Sequence, residues 1–173
     1  MTHHGIEIER KFRLRAAPDA ATLAAHGAVA KRIEQVYLAG SGPEEASRVR
    51  RTTLDDGSVT YRATTKRRVG EFSFDEREQV IDEAAWTAAL EQADPGRRPV
   101  RKTRHVAPHG GQALEIDVFE QPADLVVVEV ELRDEAEPVA LPAWLGEWRE
   151  VTGDSRYLNA NLARPDAEIP PWG

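Results

Sequence analysis

Cysteine is absent from this 173-residue chain. That excludes disulfides, thiolate catalysis and thiolate-ligated zinc, and it fits a reducing compartment. Methionine occurs once and aromatic residues make up only 6% of the chain. No apolar run approaches the ~18 residues of a membrane span, and the N-terminus lacks the apolar stretch of a secretory signal. The expected compartment is therefore the cytoplasm, with no membrane partner. Positive charge is in deficit as well: 23 Lys and Arg stand against 30 Asp and Glu, a net charge of −7. A dedicated nucleic-acid-binding role is thereby disfavoured. Charged residues nevertheless make up 31% of the chain beside an ordinary apolar share of 40%. That suffices for one core and an unusually charged surface or interior. A single domain over 1–173 is expected, with its core at about 5–163 and a tail at 164–173.

The most informative stretch is Glu7-Ile8-Glu9-Arg10-Lys11-Phe12. Side chains of a strand alternate faces, so Glu7, Glu9 and Lys11 share one side and Ile6, Ile8, Phe12 and Leu14 the other. The apolar side must pack. Two carboxylates about 7 Å apart along one strand can hold a divalent cation. A lysine next in line can hold the phosphate such a cation carries. One such motif carries little weight, because exposed strands often alternate charge.

The alternation recurs. Strands are expected at 29–39, 47–54, 58–66, 71–81, 100–106, 113–119 and 125–132, with turns at Gly40-Ser41-Gly42-Pro43, Asp55-Asp56-Gly57 and Gly110-Gly111. Short helices are expected at 18–26 and 82–93, the second amphipathic through Trp86 and Leu90. The segment after Pro138 reads as mostly helical, His3 and His4 as a disordered terminus, and residues 169–173 as a fraying end. Eight strands with short turns suggest a closed or nearly closed antiparallel barrel, since closure removes exposed edges.

One face of those strands is charged. Arg48 pairs in phase with Arg50, Glu76 with Glu78, Lys102 with Arg104, Glu115 with Asp117 and Glu129 with Glu131. The opposite face of the last two strands is apolar throughout: Leu114, Ile116 and Val118, then Val126, Val128, Val130 and Leu132. An apolar face must be covered, which leaves the charged faces to point together into the lumen. Any single pair is explained by a solvated sheet face, but dense acid pairs opposite apolar rows on successive strands are not. A charged lumen is costly unless its charges pair or bind ions, and mixed acids and bases suit a polyanion held with its metal. With no cysteine and no Ser–His arrangement, water is the economical nucleophile.

In order along the chain stand Glu-Ile-Glu-Arg-Lys-Phe (7–12), Arg-Val-Arg (48–50), Thr-Lys (65–66) and Glu-Arg-Glu (76–78). Arg-Lys-Thr-Arg (101–104), Glu-Ile-Asp-Val-Phe (115–119), Val-Glu-Val-Glu-Leu (128–132) and Glu-Val-Thr-Gly-Asp (150–154) follow. This series resembles the CYTH superfamily, the triphosphate tunnel metalloenzymes, in their short stand-alone bacterial form. The resemblance implies an α+β fold: an eight-stranded antiparallel tunnel with covering helices and a C-terminal closing helix. It also implies hydrolysis of a small-molecule triphosphate with Mg²⁺ or Mn²⁺, two ions taking part in turnover. Carried over by position, Glu7, Glu9, Asp117, Glu129 and Glu131 match metal-binding acids. Glu76 and Glu78 match further tunnel acids of catalytic role, alongside Lys11. Lys11, Arg48, Arg50, Lys66, Lys102 and Arg104 match the basic residues that grip phosphoryl oxygens. Short relatives usually read Gly-Asp-Lys-Arg-Tyr in the closing helix, where this chain has Gly153-Asp154-Ser155-Arg156-Tyr157.

Inorganic tripolyphosphate is the expected substrate. Thiamine triphosphate, a nucleoside triphosphate or a class IV-type cyclase reaction are the alternatives within the family. No tryptophan lies on an expected tunnel strand to receive a thiamine ring. A non-catalytic polyphosphate- or nucleotide-binding module would need the bases but not so many inward carboxylates. A lipocalin-like carrier is at odds with a charged interior.

Overall fold

The computed structural model describes residues 2–40 and 45–172, so the expected turn residues Ser41, Gly42 and Pro43 lie outside the described residues. Strand β1 (Thr2–Leu14) is followed by helix α1 (Ala20–Ala25), β2 (Val29–Tyr37), β3 (Glu45–Leu54), β4 (Val59–Arg68) and β5 (Ser73–Ile81). Helix α2 (Glu83–Leu90), β6 (Val100–His109), β7 (Gln112–Phe119), β8 (Val126–Leu132), the short β9 (Trp148–Glu150) and one turn of helix, α3 (Asn159–Leu162), complete the chain. The sheet runs β5-β4-β3-β2-β6-β7-β8-β1, all antiparallel, and a β1–β5 pairing closes it into an eight-stranded barrel. No helix among the described residues is long and apolar enough to cross a membrane.

β1 makes the closure. Its first half, through Ile8, pairs with β5, and from Ile8 onward it pairs with β8. Where β5 has left its edge, β9 takes over, with Phe12 opposite Glu150 and Leu14 opposite Trp148. Arg10, on the outer face, clamps this junction through two hydrogen bonds to Glu150 at 2.8 and 2.7 Å.

Local chemistry starts both longer helices. Asp19 accepts from the Thr22 amide at 2.7 Å and Asp82 from the Ala85 amide at 2.8 Å, each satisfying an otherwise orphaned helix donor. Gly110 and Gly111, both at positive φ (57° and 83°), make the β6–β7 turn that a side chain would strain.

Three apolar clusters hold the barrel. Outside it, Phe12, Leu14, Leu114, Ile116, Val126, Val128, Val130 and Leu132 pack beneath Leu23 of α1 and Leu145 of a 3₁₀ turn at Ala143–Leu145. Also outside, Val36 and Val49 are covered by Trp86 of α2, which tilts over Tyr61 at 5.6 Å. The third cluster is internal. Tyr37, Val100, Phe119 and Val127 point inward, and Val151, Tyr157, Leu162 and Ala163 fill the same end of the barrel as a plug. One end of the lumen is thus stoppered by apolar side chains, and the charged side chains lie beyond them.

Several expectations are corrected. His3 and His4 belong to β1, and His4 Nε2 lies 2.8 Å from Asp75 across the β5 pairing. Ile6 is 61% exposed, so the packed face of β1 begins only at Ile8. β5 starts at Ser73 because residues before it form a loop held by Arg68, whose Nε donates to the Gly70 carbonyl at 3.0 Å. Leu90 is exposed, leaving Trp86 as the buried anchor of α2. The C-terminal region is not mostly helical: Pro138, Pro142 and the positive-φ Gly146 and Gly153 interrupt it, and β9 is drawn into pairing with β1. The closing helix is correspondingly small, a 3₁₀ turn at Ser155–Tyr157 followed by α3. Nor do Pro170 and Trp172 fray. Trp172 lies under the guanidinium groups of Arg149 (4.5 Å) and Arg13 (5.4 Å), and Arg13 donates to the Pro170 carbonyl at 2.5 Å.

Candidate active site

Strand alternation brings eleven of the thirteen expected site residues onto one cavity of about 180 Å³ inside the barrel. Glu7, Glu9 and Lys11 come from β1, Arg48 and Arg50 from β3, Lys66 from β4, Glu76 and Glu78 from β5, Arg104 from β6, and Glu129 and Glu131 from β8. Gln35, Glu115 and Asn159 join them, and sequence reasoning had assigned none of the three to the site. Glu115 was legible by its phase with Asp117; Asn159 comes from the closing segment, where no strand period applies.

Lys102 and Asp117 stand apart. Their side chains are fully buried, they pair with each other, and they line no cavity described here. Inward parity places them inside the wall, but at the depth of the plug rather than the lumen.

The cross-strand register sets like charges directly opposite one another. Glu9 faces Glu131, Glu115 faces Glu129, and Arg50 faces Arg62. Such pairs destabilise a sheet unless something bridges them. Part of the bridging is internal. Glu129 accepts from Lys11 at 2.6 Å and from Arg104 at 2.5 Å. Arg104 also clasps Asp117 through two nitrogens, both at 2.6 Å, and reaches Glu115. Glu78 receives Arg50 at 2.8 Å, Thr64 at 3.2 Å and Arg62. Lys66 spans Glu7 and Glu9, 3.3 Å from the latter.

Part of it is missing. Among the described residues Glu76 and Glu131 have no cationic partner within ion-pair distance. Among the described residues, seven carboxylates and five cations line the small cavity, a formal excess of two negative charges. The titration behaviour follows. Burial, then Glu9 and Glu76, push the Glu7 carboxyl up to about 7 against the pull of Lys66. Burial and the neighbouring Glu115, Glu76 and Glu9 raise Glu131. Burial acts on Glu9 and Glu129 too, but Lys11 with Lys66, and Lys11 with Lys102 and Arg104, outweigh it and hold both below the usual carboxylate range.

Two signs point to missing ligands of opposite charge. The unpaired acids Glu76 and Glu131, with Glu7 whose carboxyl burial pushes up, are hard oxygen donors that suit a hard divalent cation. No group of three acids or histidines is preformed as a coordination shell among the described residues, since most carboxylates are turned to lysine or arginine. On the basic side, Nε of Arg48 and Nε of Arg50 are buried without an acceptor. Buried guanidinium donors lacking partners are costly, and an anion in the lumen beside β3 would relieve that cost.

A larger cavity of about 510 Å³ continues past Lys11 to the closing segment. Its sign is reversed: Lys11, Arg48, Lys66, Arg68, Arg97 and Arg164 outnumber Glu9 and Glu45. Glu9, Lys11, Arg48, Lys66 and Asn159 border both spaces. Its two aromatic rings are already capped, Tyr37 by Arg97 at 5.2 Å and Phe74 by Lys66 at 4.4 Å. Ser155 lies on its wall.

The sequence profile of the CYTH domain family matches residues 5–164. The chain belongs to the CYTH domain family. A curated inorganic triphosphatase from Acetivibrio thermocellus is 42% identical over 66 residues, which span 38% of this chain and 41% of that protein. The solved structure of the inorganic triphosphatase NE1496 is 33% identical with a TM-score of 0.58, covering 95% of this chain and 97% of its own. A conserved protein from Pyrococcus furiosus is 25% identical with a TM-score of 0.54, over 75% of this chain and 80% of that one. The eight-stranded closed barrel found here is the tunnel fold of this family.

Proposed function

We propose that this CYTH protein hydrolyses inorganic triphosphate to pyrophosphate and phosphate in its charged tunnel, using Mg²⁺ or Mn²⁺, two ions taking part in turnover. The observation that carries the reading is one lumen holding both unpartnered buried guanidinium donors and unpaired acids. An anion-binding module would need only the first. The inorganic triphosphatases among the similar proteins support the same reaction class.

Arg48, Arg50, Lys66 and Arg104 would grip the phosphoryl oxygens, with Lys11 between them and the acids. Glu7, Glu9, Glu76 and Glu131 would hold the metal ions, and Glu129, already bridged by Lys11 and Arg104, would fix those two basic side chains in place. A bound cation supplies charge neutralisation and a lowered pKa for a nearby water. The chain's own groups do the rest. The basic collar aligns the triphosphate, and a carboxylate at the acidic end, Glu76 or Glu78, orients a water and accepts its proton. Water oxygen bonds to the terminal phosphorus as the bond to the bridging oxygen breaks, and pyrophosphate departs with that oxygen.

The capped rings favour an inorganic substrate. A base or thiamine ring seeks an aromatic face, and the faces of Tyr37 and Phe74 are taken by Arg97 and Lys66. The test is phosphate release from tripolyphosphate, ATP, thiamine triphosphate and pyrophosphate, each with Mg²⁺, Mn²⁺ or EDTA. Preference for tripolyphosphate with metal is expected. Equal turnover of ATP, or full turnover in EDTA, would overturn the reading.

A further inference from the structure

Lys102 is expected from its motif to grip phosphate, yet its ammonium lies in the wall. Its side chain is fully buried, paired with Asp117, over the Phe119 ring at 5.1 Å, and separated from both cavities. Its link toward the lumen is Asn159, whose Oδ1 sits 3.5 Å from Nζ. An ammonium has three donors and no acceptor. The amide of Asn159 must therefore present its oxygen to Lys102, which turns Nδ2 and its two N–H groups the other way. No protein acceptor takes Nδ2 among the described residues.

Position gives that free donor its meaning. Asn159 borders the small cavity and the larger one, so it stands at their junction. The backbone holds it there. Leu158 is extended (φ −72°, ψ 132°) between the 3₁₀ turn and α3, while Tyr157 and Leu162 on either side are locked in the apolar plug. Ammonium side chains dominate this junction through Lys11 and Lys66, and Asn159, which lines the same two spaces, adds a neutral, directional donor.

We propose that Asn159 is a substrate-contacting residue, donating an Nδ2 hydrogen bond to a phosphoryl oxygen at the junction of the two cavities. Lys102 acts on the substrate only through Asn159, as a positioning residue that fixes the amide's orientation. This rests on the triphosphatase reading above and assigns Lys102 a different place in it from direct phosphate contact.

The experiment is steady-state hydrolysis of tripolyphosphate with Mn²⁺ by the full chain, beside thermal melts without ligand. Asn159→Ala should raise KM roughly tenfold or more, the range for a lost hydrogen bond to a charged group, with kcat changed far less and the unliganded melting temperature unmoved. Asn159→Asp, of equal size, should raise KM further, because it replaces the donor with a negative charge. Lys102→Met should raise KM in the wild-type background and leave it unchanged in the Asn159→Ala background. Multiplying effects would mean that Lys102 touches phosphate itself, and an unaltered KM in Asn159→Ala would mean that the amide does not; either overturns the proposal. If Lys102→Met does not fold, the Asn159 pair decides alone: Asn159→Asp binding as tightly as wild type refutes it. A wild-type chain that neither hydrolyses tripolyphosphate nor melts higher in its presence sinks the triphosphatase reading instead.

Discussion

Glu7→Gln should make the metal-free protein more stable while removing most of its activity. The Glu7 carboxyl is held at about 7 in the folded chain against an ordinary value of 4.5. Between those values the unfolded chain has shed the proton and the native state still holds it, so stability falls as pH rises through that window. At 1.36 kcal/mol per unit, ionised Glu7 costs the native state up to about 3 kcal/mol at pH 8 and about 1 kcal/mol at pH 5. Both are upper figures, because water and the Lys66 ammonium adjust around an ionised carboxylate. Glutamine has the same shape and no proton to lose. For a chain of this size each kcal/mol moves the melting temperature by roughly 2–4 °C. In EDTA, Glu7→Gln should therefore melt up to about 6–12 °C above wild type at pH 8 and only about 2–4 °C above it at pH 5. His105, whose pKa is lowered by burial, contributes with the opposite sign, but it is common to both proteins and cancels in the difference. The assay is a pair of thermal melts across pH 5 to 8. A difference that is flat with pH, or that shrinks as pH rises, would refute the claim that Glu7 is a buried acid crowded by Glu9 and Glu76.

Excess EDTA should abolish tripolyphosphate turnover, and Mg²⁺ or Mn²⁺ added back should restore it; phosphate release reads both directions. Arg50→Ala should raise KM for tripolyphosphate roughly 10- to 100-fold and weaken the thermal shift that tripolyphosphate with Ca²⁺ produces in wild type. An unchanged KM and shift would remove Arg50 from the collar. Asp117→Asn, which leaves the ammonium of Lys102 buried and uncompensated, should cost about 3–5 kcal/mol in urea unfolding. Trp86→Ala, emptying the apolar seam beneath α2, should cost a similar 3–5 kcal/mol with little change in KM, because Trp86 borders neither cavity.

The lumen was legible because a two-residue period forces a choice of face. Leu114, Ile116 and Val118 on one side of β7 leave Glu115 and Asp117 nowhere but inside. Depth along the barrel was not legible. Tyr37, Phe119 and Val127 share the inward phase of the charged residues, yet they form the plug, and Lys102 and Asp117 sit at that level beside them. Alternation reports inside or outside; the stagger between neighbouring strands decides which inward residues meet the cavity, and that depends on pairings more than a hundred residues apart, such as Lys11 with Glu129. The C-terminal region was misread for a related reason. Trp148 to Glu150 form a strand only because β1 offers an edge where β5 departs, and Trp172 is ordered only because Arg13 and Arg149 are brought to it.

The two-sided role of β1 imposes an order on how the molecule is made. β1 is synthesised ahead of its partners: Glu129 is 118 residues beyond Lys11, and Thr152, which accepts from the Lys11 amide, is 141 beyond it. At about 5–20 residues per second, β1 waits on the order of ten seconds for the strand that completes its partners. Such distant pairings place the barrel among slow-folding topologies. Until they form, Glu7, Glu9 and Lys11 lie on an open strand with no Glu129 or Glu131 opposite. A growing chain thus carries this site motif exposed until β8 emerges, and the lumen in which that motif has meaning comes into being only with that strand.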